Sequence, residues 1–168
     1  MYLFRKKITI FTFITLLSSA FSLQAFAACL PAELCTKVSG LADVPLGTWG
    51  GTGDLTSNYT MCVYVQNDNE SNYDVTGTGT GTGSAYIVTS GTNDISVSVA
   101  FEESGAPGFI GLSETIPTVF MNPHTTDENC VGGGGNSAKI RVTVAEADMD
   151  FAISGTYTGT ITLVTSPD

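Results

Sequence analysis

The sequence predicts an all-β protein, an antiparallel β-sandwich formed by a single domain, and three observations carry that expectation. Apolar residues in the strongest segments recur at every second position, so each segment has one buried and one wet face. Helical periodicity is nearly absent. Roughly seven to nine such segments, parted by Gly, Asn, Asp and Ser clusters, share about 140 residues, which is the spacing of a sandwich.

Taken in chain order, residues 1–27 stand apart. Arg5, Lys6 and Lys7 precede an apolar run from Ile8 to about Leu23, followed by Ala25-Phe26-Ala27. That pattern predicts a signal peptide cleaved before Ala28. Ser18, Ser19, Ser22 and Gln24 interrupt the run and argue against a retained anchor. A lipid-attachment site at Cys29 is disfavoured by Phe26, where such sites usually carry Leu. No later segment approaches the roughly 20 apolar residues of a membrane span. Residues 28–168 are therefore expected to be exported as one soluble domain without an integral membrane span.

Within that domain, Met61, Val63 and Val65 alternate with Cys62, Tyr64 and Gln66. Ile95, Val97, Val99 and Phe101 alternate with Ser96, Ser98, Ala100 and Glu102 as one strand. Ile140, Val142 and Val144 alternate with Lys139, Arg141 and Thr143. At the end, Tyr157, Gly159, Ile161 and Leu163 alternate with four threonines. Shorter strands are expected at 38–44, 72–76, 85–89 and 118–121, with a single helical turn or two at 145–152. The Thr–Gly alternation at 76–83 reads as a bend or a close backbone approach. It lacks the strand, helix and Lys that a phosphate-binding loop requires. The glycines at 132–135 read as a flexible loop.

Removal of the first segment leaves Lys37, Lys139 and Arg141 as the bases. Those three against 16 acids give residues 28–168 a formal charge of −13, compared with −10 for the whole chain. Three cations cannot neutralise a run of phosphates, which excludes nucleic acid as a partner. Adhesion to anionic lipid through a basic patch fails for the same reason.

Export makes Cys29, Cys35, Cys62 and Cys130 candidates for disulfides. Four cysteines allow three connectivities. Cys29 and Cys35 can close a small loop, and Cys62 and Cys130 can tie a strand to a loop, so 29–35 with 62–130 is favoured. The thiols lack a close CxxC pair and His124 is the only imidazole, so no metal site is expected.

Chemistry has little to work with. A Ser–His–Asp triad would have to form around His124, whose neighbours Asn122, Pro123 and Thr125 suggest an exposed loop. The acid pairs Glu102-Glu103 and Asp127-Glu128 are adjacent in sequence, so on a strand their side chains point to opposite faces. Glu146, Asp148 and Asp150 alternate, but no spaced calcium loop surrounds them. Trp49 is a candidate ligand contact for a sugar, set against a core or sheet-edge role. The expectation is a protein that is not an enzyme and takes no cofactor.

The ending Gly155-Thr156-Tyr157-Thr158-Gly159-Thr160-Ile161-Thr162-Leu163-Val164-Thr165-Ser166-Pro167 resembles the C-terminal strand of bacterial chaperone–usher pilins, particularly the spore-coat-U-like (Csu-type) group. Cys62-Val63-Tyr64, Gly47-x-Trp49 and the 136–144 strand match in order as well. The resemblance implies an immunoglobulin-like sandwich of the pilin type, lacking its last strand. It implies a structural subunit of a surface pilus, in which a strand from another chain fills the open edge. A periplasmic chaperone, an outer-membrane usher and other pilin subunits are the implied partners, and the implied location is the periplasm and then the cell surface. Tyr157, Ile161 and Leu163 are the implied interface with the chaperone or donor strand. A Cys35–Cys62 bridge, common in pilins, is the other pairing the resemblance allows. The segment from Ala28 to Cys35 departs from a donor arm, because it is short and contains Pro31. That favours a minor or tip subunit that receives a strand and gives none. The alternative is a secreted carbohydrate-binding sandwich that acts alone.

Overall fold

In the structure, a computed structural model, residues 34–66, 72–103, 106–131 and 138–167 are described. The expected signal peptide, Cys29 and the glycines at 132–135 lie outside them. Along the described residues the chain forms β1 (Cys35–Ser39), β2 (Leu55–Gln66), β3 (Asn72–Thr78), β4 (Ile87–Ser90), β5 (Asn93–Ser96), β6 (Ser98–Glu103), β7 (Ile110–Gly111), β8 (Thr118–Met121), β9 (Ala138–Val144), α1 (Glu146–Met149) and β10 (Thr162–Pro167). This is an all-β sandwich. A five-stranded sheet runs β1–β2–β9–β6–β7, a three-stranded sheet runs β10–β3–β8, and β4 with β5 forms a separate hairpin. Every strand pair is antiparallel.

The alternation in sequence becomes two faces, as period-two geometry requires. On β9, Ala138, Ile140, Val142 and Val144 are buried, while Lys139, Arg141 and Thr143 look outward. Tyr73 and Val75 of β3 and Phe120 of β8 supply the facing layer. Tyr73, Phe101 and Phe120 join the sheets, with Phe101 and Phe120 ring centroids 4.6 Å apart. Such a tilted contact adds to the burial of both rings. The Cys62–Cys130 disulfide ties β2 to the loop after β8.

Several strands differ from expectation. The one expected at 38–44 is found at Cys35–Ser39 and stops before Gly40, whose φ of 76° leaves the extended region, and the one expected at 85–89 is found at Ile87–Ser90. The apolar alternation from Ile95 to Phe101 continues unbroken, but the ladder partner changes at Val97. β5 pairs with β4, whereas β6 pairs with β9. Val97 itself donates its N–H to Tyr86 O at 3.0 Å. The final strand begins at Thr162, later than expected, because β3 ends opposite it at Thr78. Ahead of Thr162 the chain meets the hairpin instead, and Thr158 exchanges two backbone hydrogen bonds with Thr89. Gly159 permits this close passage, since a Cβ there would strike the Ile87 carbonyl.

The Thr–Gly repeat has a packing cause. Gly77 and Gly79 lie flat against Tyr86 and Ala85, and a Cβ on Gly79 would run into the Ala85 carbonyl and the Tyr86 backbone. His124 is a correction to its expected exposure. It is only 9% exposed. Its backbone bonds Val63 and Val65, and its Nδ1 accepts the Asp127 N–H at 3.1 Å.

Candidate functional site

Two sheet edges meet along one side of the sandwich. β1 ends the five-stranded sheet and β10 ends the three-stranded one. They touch at Thr36 and Thr165, where Thr36 Oγ1 donates to the Thr165 carbonyl at 2.9 Å and the two hydroxyls lie 3.2 Å apart. Beyond Ser39 that contact is lost. β1 stops, Gly40 adopts φ 76°, and residues 41–47 run on without strand structure.

A groove of about 650 Å³ opens there, between residues 41–47 on one wall and 157–163 on the other. Its floor is made by Tyr59, Ile140 and Val142 of the large sheet, with Ile87, Val88 and Val97 around the hairpin. These belong to the hydrophobic core or pack against it. The groove therefore leads from solvent into the space between the sheets, where a side chain would normally be covered by a neighbouring strand.

Tyr157, Ile161 and Leu163 all line the groove. Each is half-buried, and the Tyr157 hydroxyl donates to Ile153 O at 2.8 Å. The backbone matters as much as the side chains. Because the Thr165 carbonyl points away from β3 toward Thr36, the alternation of an antiparallel ladder turns the N–H and C=O of Leu163 the same way. β10 has β3 as its one ladder neighbour among the described strands. The groove thus presents an apolar floor beside a strand edge, the two features that accept an added strand.

The other residues singled out in the sequence lie elsewhere. Trp49 is half-buried, packs against the core, and donates Nε1–H to Gly53 O at 2.9 Å. It does not line the groove. Cys35 is disulfide-bonded, and its expected partner Cys29 lies outside the described residues. Glu102 and Glu103 are engaged at the end of β6, the first with Lys139 and the second with the Met121 N–H. Glu146 starts α1, and its N–H is capped by the Asp54 carboxylate at 2.9 Å. Among the described residues no group of three or more His, Cys, Asp or Glu side chains is gathered to hold a metal. None of their helices is long and apolar enough to cross a membrane.

The wall at 41–47 and the hairpin floor were not foreseen as parts of the site. Gly40, Pro45 and Gly47 are the signal for the first, since that punctuation marks an interrupted strand.

No family model matches the chain, and no curated protein matches it. Among solved structures, a chain from a chaperone–tip adhesin complex of CFA/I fimbriae is similar, with a TM-score of 0.50 at 11% identity. The match covers 81% of this chain and 42% of that one, so this chain spans less than half the length of its structural neighbour. At that identity the likeness concerns the fold.

Proposed function

We propose that the protein is a non-catalytic structural subunit of a chaperone–usher surface pilus, of the spore-coat-U-like kind, whose groove receives a β-strand from another chain. The observation that carries this reading is the groove itself, an apolar channel into the core bounded by the edge of β10 that has no ladder neighbour among the described strands. A strand laid beside Leu163 would satisfy its backbone groups, and alternate side chains would cover Tyr59, Ile140 and Val142. The similar fold of a chain from a fimbrial chaperone–adhesin complex supports the same direction. A periplasmic chaperone fills the groove first and a neighbouring subunit fills it later, with an outer-membrane usher between the two steps. The proline in the segment from Ala28 to Cys35 favours a minor or tip position, receiving a strand and donating none.

Periplasmic co-expression tests the reading. The protein should accumulate only beside a fimbrial chaperone and should co-purify with it, and Ile161→Asp should abolish that capture. Equal accumulation of folded protein without any chaperone would support a self-contained secreted module instead.

A further inference from the structure

Cations are scarce here, which makes their placement informative. Among the described residues they are Lys37, Lys139 and Arg141. Lys37 pairs with Glu128 at 3.1 Å and Lys139 with Glu102 at 2.6 Å. No described carboxylate forms such a pair with Arg141. Its guanidinium is nevertheless held in place. It lies 3.6 Å over the Phe109 ring, and its Nε donates to Asn58 Oδ1 at 2.9 Å.

The support continues one layer out. Glu102, the acid across β6 from Lys139, bonds Lys139 through one oxygen and accepts the Gly108 N–H at 3.2 Å through the other. Its carboxyl is held below the usual range by the Lys139 hydrogen bond first and the Gly108 N–H second. It therefore stays ionised and fixes the residue beside Phe109, and although the Arg141 charge also helps to lower its pKa, its two oxygens bond Lys139 and the Gly108 N–H. Stacking on a ring and a bond through Nε leave the terminal nitrogens of a guanidinium as the forked pair of donors that matches a carboxylate.

We propose that the outer face of the five-stranded sheet around Arg141 binds the carboxylate of an acidic sugar within an otherwise neutral saccharide. This face lies on the opposite side of the large sheet from the groove floor, so the proposal stands independently of the strand-receiving role. Strand register sets Asn58 on one side of Arg141 and Ala100 on the other, with Thr60 and Thr143 on the same face. Ala100 presents only a methyl group to this face, while the Asn58 NH2, the Thr60 hydroxyl and the Thr143 hydroxyl, which also shares a hydrogen bond with Thr56 at 3.0 Å, offer hydrogen bonds of the kind sugar hydroxyls use. The overall charge selects among anions. A chain of formal charge −10 repels polyanions at long range, whereas one carboxylate on a neutral scaffold meets mainly the local guanidinium.

The test is a chemical-shift titration of the labelled protein with sialyllactose and with a glucuronosyl disaccharide, using lactose as the neutral control. The expected result is saturable shifts at Asn58, Thr60, Ala100, Arg141 and Thr143 with at least one acidic probe. Binding should weaken about tenfold or more in Arg141→Gln, and also with added salt. Arg141→Lys, which keeps the charge and loses the fork, should weaken it by a smaller factor, and it serves if the glutamine variant does not fold. No shifts with either acidic probe up to about 10 mM, a range that covers even weak sugar binding, would overturn the proposal. So would equal shifts with lactose, or undiminished binding by both variants.

Discussion

The Thr36 hydroxyl donates to the carbonyl of Thr165, 129 residues later in the chain, and this contact joins the edge strands β1 and β10 of the two sheets. On one side of it the sandwich is closed by β1 lying along β10. On the other side β1 has ended and the groove begins. The pair also defines the direction of the β10 backbone, and hence which of its groups face the groove. Thr36→Val keeps the shape and removes the donor. It should lower stability by about 1 kcal/mol in urea unfolding, the ordinary worth of a half-buried hydrogen bond.

The alternating glycines are tested by a contrast. Gly79→Ala forces a Cβ into the Ala85 carbonyl and should cost about 1–3 kcal/mol through overpacking. Gly111→Ala meets nothing within 4 Å and should stay within about 0.5 kcal/mol of the parent. Equal effects at the two sites would mean that backbone freedom, and not close approach, explains the repeat.

Cys62 and Cys130 are 68 residues apart in sequence, and their bridge constrains a long loop of the unfolded chain. Replacing both by Ala should cost about 4 kcal/mol on the loop-entropy relation, read from denaturant midpoints. Mass mapping of the oxidised protein should recover the 62–130 peptide pair.

Tyr73 is fully buried and its hydroxyl has no hydrogen-bond partner among the described residues. Burial, reinforced by the charge of Glu103, raises its pKa well above the ordinary tyrosine value. The unfolded phenol therefore ionises first, near pH 10. The stabilising effect of keeping Tyr73 neutral is complete below that pH and is lost as pH rises toward the folded pKa. Tyr73→Phe should be neutral or stabilising at pH 7, because an orphaned hydroxyl is removed, and should reduce the fall of stability above pH 10. Thermal unfolding followed from pH 7 to 11 reads both effects.

Period-two alternation made the strands legible because burial on one face is a local constraint that each residue answers for itself. β8 was read at 118–121 and is found at Thr118–Met121. Ladder partnership is not local. Nothing in Ile95–Phe101 marks the change from β4 to β9 at Val97, since Ile95, Val97 and Val99 are buried alike on both sides of it. His124 was misread for a related reason. Its polar neighbours suggest a loop, but its burial comes from β2, some sixty residues away, through the Val63 and Val65 bonds. At the groove, Tyr157, Ile161 and Leu163 were legible from their alternation, whereas the opposite wall was misread as part of a strand at 38–44, because Val38, Leu41 and Val44 are apolar but Gly40 at φ 76° ends the strand before it.

The central claim is that the groove is completed by a strand from another chain, and the amide of Leu163 reports on it most directly. Hydrogen exchange should be compared between the protein freed from its chaperone and the co-purified complex. The account predicts fast exchange of the Leu163 amide in the free protein and a slowing of about a hundredfold or more in the complex, while β3 and β9 amides change little. A Leu163 amide already slow in the free protein, or unchanged on complex formation, would contradict it.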